Sequence, residues 1–481
     1  MNFVIPDFMP AVPEIVLLAL ASFILIADTM WSNRYKYATY YASQIALLIV
    51  GALILMSYSS ETVVTFDQSF VRDTFGDLLK IFIVIVSIGV FLFSKEYLNQ
   101  NNFYKGEFFT LGLFAILGMF VMVSSYNFIT LFVGLEIMSL AMYAMIAMQR
   151  DSSAATEAAM KYFVLGALAT GLLLYGMSML YGATGTLTIP EVAEVVASGK
   201  ADAVVLSFGV VFIVIGLGFK LGAVPFHMWV PDVYHGSPTA VTLFIGAAPK
   251  IAAFAIVYRL LIDAVPGLVT DWQQLLIIMA VLSLVVGTVI ALVQTNLKRL
   301  LAYSGISHIG FLLLGFIAAT PEGYSAAMFY IIVYAITSVA AFGMIITLAR
   351  NGEQFDTLDD FKGLNNRNPW LAAMMLMVMF SMAGIPPFVG FYAKLVVLEE
   401  VITAGFVWLA LIGVVTAVAG AFYYLRVVKV MYFDAPAVEG ELKPTTKEMA
   451  VAVSVFSISL LLLGIMPASL MSLAYGSLIV G

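Results

Sequence analysis

AVVLSFGVVFIVIGLGFKLGAVP, residues 203–225, decides the fold. From Ala203 to Phe219 the stretch carries no charge, then Lys220 stands in the same apolar run, with Gly222 and Pro225 just beyond it. The run is long enough to cross the ~30 Å hydrocarbon core of a bilayer as a helix. A glycine and a proline break that helix beside its only charged residue. In lipid the freed backbone groups must find partners inside the protein, so the break itself implies a polar interior.

The rest of the chain repeats the pattern. Of its 481 residues 62% are hydrophobic and 11% charged, against about 25% charge in ordinary soluble domains. So few charges cannot cover a soluble core of this size. The chain has no cysteine, which excludes disulfides, thiolate nucleophiles, cysteine-ligated zinc and iron–sulfur clusters within it. His227, His235 and His308 are its only histidines, a poor basis for a histidine-ligated metal. A net charge of −7 argues against nucleic acid as a partner.

Apolar runs read against their polar breaks predict about fourteen spans, near residues 12–30, 38–58, 77–94, 107–124, 128–148, 156–182, 203–222, 239–263, 272–293, 300–319, 325–349, 370–398, 403–432 and 449–478. The first carries Glu14 and Asp28 and reads as a span, not a cleavable leader. No strand is needed anywhere. With the N-terminus outside, most basic residues fall in inner loops, among them Arg34, Lys36, Lys95, Lys105, Arg150, Lys298, Arg299, Arg350, Arg367 and Lys443. Only Arg72, Lys200 and Arg259 fall on the outer side. The positive-inside rule then puts both termini outside.

A second break, Gly384-Ile-Pro-Pro387, interrupts span twelve as Gly222-Ala-Val-Pro225 interrupts span seven. The two lie five spans apart, and an odd offset inverts the second copy relative to the first, as in inverted-repeat transporters. The expectation is an all-α integral membrane protein of about fourteen transmembrane helices, with two inverted five-helix repeats and broken helices seven and twelve. The expected units are helices one to three (1–104), the first repeat (105–265), the second repeat (266–435) and a last helix (436–481).

Lys80, Lys161, Lys220, Lys250 and Lys394 lie inside spans, with Glu136 and His308. Lys80, near an outer helix end beside Asp77, reads as a side chain snorkelling to the interface. The others read as deeper. A charge at the bilayer centre costs about 2.5–3.5 kcal/mol on insertion scales, so such residues accumulate only where they face one another or water. Helix-pinning ion pairs explain single residues but not the set, because the deep lysines outnumber the carboxylates. Ionisable groups strung across a membrane interior suit a proton relay. Gly216-Leu-Gly218-Phe-Lys-Leu-Gly222 looks like a dinucleotide fingerprint, but its last glycine is one position late and no strand precedes it. The methionines at 138, 142, 145 and 148 and at 374, 375, 377 and 379 read as packing surface.

Taken together, Leu131-Phe-Val-Gly-Leu-Glu136, Lys161-Tyr-Phe, Gly218-Phe-Lys220, Pro225-Phe-His-Met-Trp-Val-Pro-Asp232, Pro249-Lys250, Thr295-Asn-Leu-Lys-Arg-Leu-Leu-Ala-Tyr-Ser304, Ser307-His308 and Ala383-Gly-Ile-Pro-Pro387 with Lys394 resemble the antiporter-like membrane subunits of respiratory complex I. The likeness runs in order along nearly the whole chain. It implies that Glu136 on helix five pairs with Lys220 on the broken helix seven. Lys250 would continue a hydrated axis and Lys394 would end it, with Lys161 and His308 at further family positions. It implies proton movement coupled to NADH oxidation and quinone reduction elsewhere, with NADH, FMN, iron–sulfur clusters and quinone held by partner subunits and no cofactor or metal in this chain. The implied partners are neighbouring antiporter-like and small membrane subunits, membrane lipids and protons, in a bacterial inner membrane. The rival readings are a subunit of a cation/proton antiporter or membrane-bound hydrogenase, and a non-pumping scaffold.

Overall fold

The computed structural model describes residues 5–31, 37–349, 355–436, 440, 442, 444 and 446–479. Arg34, Lys36, Arg350 and Lys443, used above for orientation, lie outside them.

Helices follow the apolar runs. The first six are α1 (Val12–Met30), α2 (Ala38–Ser57), α3 (Thr74–Gln100), α4 (Glu107–Val123), α5 (Phe128–Ile146) and α6 (Ser153–Thr184). A short α7 (Ile189–Ala197) precedes α8 (Ala203–Leu221), α9 (Trp229–Gly236), α10 (Thr239–Gly246) and α11 (Ala248–Val257), the last continued by a π-helical turn, Tyr258–Asp263. Then come α12 (Val269–Val293), α13 (Leu297–Ile317), α14 (Pro321–Leu348), the single turn α15 (Leu364–Arg367), α16 (Pro369–Ala383), α17 (Val389–Thr403), α18 (Val407–Phe433), α19 (Lys447–Ile465) and α20 (Pro467–Ile479). Polar side chains close many of the starts. Asp73, Asn127, Asp202, Asn296 and Asn368 each accept a backbone N–H of the first turn, worth about 1 kcal/mol apiece.

Among the described residues, twelve helical stretches are long and apolar enough to cross a membrane. Helix α4 is shorter, and span twelve is divided into α16 and α17. The expected fourteen is reached only when α4 and that divided pair count as crossings. Two further interruptions divide expected spans: span eight is broken at Ala247 between α10 and α11, and the last span breaks between α19 and α20 at Pro467, a proline that the span count passed over.

The expectation of no strands fails locally. Val63–Thr65 and Phe70–Arg72 form an antiparallel hairpin with Val63 opposite Arg72, in the α2–α3 connection and clear of the spans. Its β-branched residues flank a polar tip at Asp67-Gln-Ser, a hairpin signal too short to register beside the apolar runs. Helix α7 is a further addition to the expected elements. Ile189, Val192 and Val196 are its buried face, at spacings of three and four residues.

The apolar centres of stretch 239–263 and of helix α14 are wholly buried, while those of α1, α2, α6, α18 and α19 are less than half buried. Close helix pairing around this centre depends on small residues. A Cβ at Gly118 of α4 would stand 2.6 Å from the Gly134 carbonyl oxygen of α5, so the two backbones touch as small-residue membrane pairs do.

The inverted repeat recurs in backbone detail. Asn127, the cap of α5, makes an isolated bridge with Thr188, and Asn296, the cap of α13, makes the same bridge with Thr357. Helices α8 and α16 both end in a left-handed glycine, Gly222 (φ 82°) and Gly384 (φ 83°). An L-residue in that conformation costs about 1–2 kcal/mol, and a Cβ at Gly222 would lie 2.7 Å from Val230 Cγ2. Gly222→Ala and Gly384→Ala should each lower the midpoint of thermal unfolding of the detergent-purified protein. Gly171→Ala, where nothing lies within 4 Å of the new Cβ, should leave it unchanged or slightly raised. Equal midpoints in all three would refute the requirement for a left-handed glycine at the breaks.

Candidate functional site

The break after α8 exposes the carbonyl end of a half-helix inside the bundle. Lys250, at the third position of α11 and 3% exposed, donates from Nζ to Leu221 O at 2.6 Å. The Trp229 indole donates to Phe219 O at 3.0 Å on the same helix end, and its ring lies 5.3 Å from the Lys250 ammonium. Lys250 therefore bonds the backbone of the residue next to Lys220, so two of the expected lysines are both placed at the C-terminal end of α8. Val224 N, freed by the break, donates to Ser283 Oγ of α12 at 2.9 Å.

The break after α16 is built alike. Lys394 of α17 donates to Met382 O at 2.8 Å and Ala383 O at 3.0 Å, and its ammonium sits 5.4 Å from the Phe311 ring. A hydrogen bond to a charged group contributes about 1.5–3 kcal/mol, comparable with the roughly 3 kcal/mol cost of placing the charge there. No carboxylate is required.

Glu136 and Lys220 are not in direct contact. Lys220 donates to Ser139 Oγ at 2.9 Å, one turn along α5 from Glu136. Both residues are only partly buried in this chain. His308 is deeper. Its Nδ1 meets Tyr330 OH at 2.7 Å and its Nε2 meets Tyr424 OH at 3.1 Å, so one ring nitrogen donates and the other accepts. Tyr424 OH is bonded in turn to Ser304 Oγ. A cavity of about 20 Å³ lined by His308, Tyr330, Ser381 and Gly390, among others, lies against Ala393 beside Lys394, room for about one water.

The sequence profile described as NADH:quinone oxidoreductase/Mrp antiporter, transmembrane, matches residues 125–420, which include both broken helices and every one of these side chains except Tyr424. The chain belongs to this antiporter family. It is 69% identical over 478 residues, 99% of this chain and 100% of the relative, to the NADH-quinone oxidoreductase subunit N of Hydrogenovibrio crunogenus. It is 54% identical over 479 residues, again 99% and 100%, to that of Thioalkalivibrio sulfidiphilus. Among solved structures it resembles a chain of respiratory complex I from Thermus thermophilus with bound aureothin (TM-score 0.82, 28% identity, 95% of this chain and 98% of that one). A chain of an archaeal membrane-bound sulfane sulfur reductase superposes with a TM-score of 0.87 at 25% identity, covering 98% of each.

Two lysines sit in environments other than those expected of them. Lys161 is not deep: its side chain is 40% exposed and bridges Glu157 and Asp232 at 2.8 Å each, with Arg299 on the other oxygen of Asp232 at 3.2 Å. Lys80 does not snorkel. It is 1% exposed, pairs with Glu14 of α1 at 2.5 Å and faces the Phe70 and Phe120 rings. Glu14 is visible in span one, but no local spacing joins it to Lys80.

Sequence reasoning also missed Lys298, assigned to an inner loop. It is fully buried at the start of α13 and donates to His235 O at 3.0 Å and Ser237 O at 2.8 Å, the carbonyl end of α9. Arg426 does the same for α12, reaching Leu292 O at 2.9 Å and Gln294 O at 2.5 Å. Ser139, Tyr330 and Tyr424 give no sequence signal, because single hydroxyls among 23 tyrosines carry no pattern. Lys298→Ala should cost about 1–3 kcal/mol by leaving buried carbonyls without a donor, read as a lower unfolding midpoint. Lys105→Ala, at an exposed residue in the α3–α4 connection, should leave the midpoint where it is. Equal midpoints in the two variants would show that those carbonyls do not depend on Lys298.

Proposed function

We propose that this chain works as the names of its relatives describe, as a membrane subunit of an NADH–quinone oxidoreductase, and that it moves protons along Glu136, Lys220, Lys250, His308 and Lys394. One observation carries the reading. Lys250 and Lys394 are held by half-helix carbonyls, and Lys220 by a hydroxyl, so none is locked to a carboxylate and each can release and regain a proton without breaking a buried ion pair.

Lys220 holds its proton while Glu136 is charged and near. Glu136 and Lys220 are the partly buried members of the row, where a neighbouring subunit can act on them. A change of charge or hydration there weakens their attraction and passes the proton to Lys250, which is bonded to the carbonyl of the next residue, Leu221. The Tyr234 ring stands 6.4 Å from the Trp229 ring that faces Lys250, and the Tyr334 ring stands 5.3 Å from that of His308. His308, with a hydroxyl on each nitrogen, hands the proton toward Lys394. Lys161, in its exposed cluster with Asp232 and Arg299, acts at the rim of this path.

In this proposal both termini lie on the outer side of a bacterial inner membrane, with repeats at 105–265 and 266–435 between the flanking helices 1–104 and 436–481. Electron transfer and its cofactors (NADH, FMN, iron–sulfur clusters and quinone) belong to partner subunits. Glu136→Gln, Lys220→Ala and Lys250→Met should each reduce proton pumping by inverted membrane vesicles several-fold or more. Assembly would be checked by the amount of intact complex in the same membranes. Full pumping in all three, with the complex assembled, would leave the scaffold reading standing. Pumping that depends on sodium and not on NADH would favour the cation-exchange reading.

A further inference from the structure

Two clefts on the membrane-facing wall formed by α16 and α19 share one residue. The first, about 860 Å³, opens where α15 passes into α16 and is walled by Asn366, Arg367 and Trp370 among others. The second, about 600 Å³, runs along α19 from Ala450 to Leu462 between almost wholly apolar side chains, with Trp370 at its head. The Trp370 indole donates to Ser454 Oγ at 2.8 Å, which fixes the ring at the junction.

The first cleft has a guanidinium in its wall. Arg367 Nε is shielded from solvent and has no hydrogen-bond partner among the described residues, whereas nine in ten or more buried donors have one. The apolar cleft has length to match a lipid tail. Ala450–Leu462 spans about 18 Å at 1.5 Å per residue, close to one leaflet of a ~30 Å hydrocarbon core. On its floor Val451, Val455 and Leu462 are 62%, 60% and 59% exposed. A guanidinium at one end, an indole at the interface level and a leaflet-long furrow are complementary to a single amphiphile.

We propose that Arg367 and Trp370 hold one anionic phospholipid, its phosphate accepting from the Arg367 guanidinium and one acyl chain lying in the furrow on α19. Arg367 lies on the side that the positive-inside count makes cytoplasmic, the leaflet rich in anionic lipid. The site involves none of the relay residues.

The test is native mass spectrometry of the intact complex, extracted in mild detergent and delipidated in steps. Wild type should retain one phospholipid more than Arg367→Ala and one more than Val455→Trp, which fills the furrow and leaves the arginine in place. Adding phosphatidylglycerol to delipidated wild type should restore that mass, and phosphatidylcholine should not. A photo-crosslinker at position 455 should label lipid. If Arg367→Ala does not assemble, Val455→Trp and the crosslink still decide. Equal lipid retention in wild type and Val455→Trp overturns the proposal, as does a crosslink to a neighbouring subunit, which would make the furrow a helix-docking surface.

Discussion

A helix that stops inside a membrane leaves carbonyl oxygens with no water to turn to, and satisfying them organises this protein. Lys250 closes α8 and Lys394 closes α16 at the two breaks, and Lys298 and Arg426 meet the carbonyl ends of α9 and α12 in the same way at the edges of the bundle. The dipole of each half-helix favours the cation, and each cation is favoured by the helix end it meets. Breaks and basic residues therefore come as pairs. The breaks create the polar interior, and the basic residues make it tolerable.

This pairing revises the arithmetic that first pointed to proton movement. Counting carboxylates against lysines leaves lysines over, and an unpaired charge in lipid looks forced to surrender its proton. Backbone carbonyls supply much of what the absent carboxylates would have supplied. The case for a relay then rests on geometry: adjoining residues held by weak, exchangeable partners. Buried ion pairs do occur, Lys80 with Glu14 and Arg259 with Asp73 and Asp263. Both lie outside the relay row, where they tie α1 to α3 and α3 to the π-helical turn after α11.

Much of the fold was legible because the bilayer permits so few solutions. Long apolar runs can only be helices, and the breaks at Gly222 and Gly384 announced themselves by residue type. What stayed hidden followed from weaker local signals. The kink at Ala247 has no glycine or proline at the turning residue itself, and the Val63–Arg72 hairpin is only three residues a side. In the site, the lysines and Glu136 stood out because charge is rare in such sequence. Their partners did not, since Ser139, Tyr424 and the carbonyls of Leu221 and Met382 are ordinary until the fold brings them together. Depth was the least legible quantity: Lys161 and Lys80 exchanged their expected environments, because depth depends on which face of a helix meets a neighbour.

Helix α14 is enclosed by α3, α10, α11, α13, α16, α17, α19 and α20, and it carries Tyr330 and Tyr334 of the axis. Its shell is completed by helices that leave the ribosome after it. Tyr330 and Tyr334 face His308 of α13, which leaves the ribosome before α14, whereas the sides that α16, α17, α19 and α20 cover have no partner until those helices are made. The continuous apolar surface of α14 makes that wait tolerable. The order of biogenesis is thus written into the burial pattern: α14 is the eleventh of the fourteen expected spans, and its enclosure is complete only when α19 and α20, the two halves of the last span, pack against it.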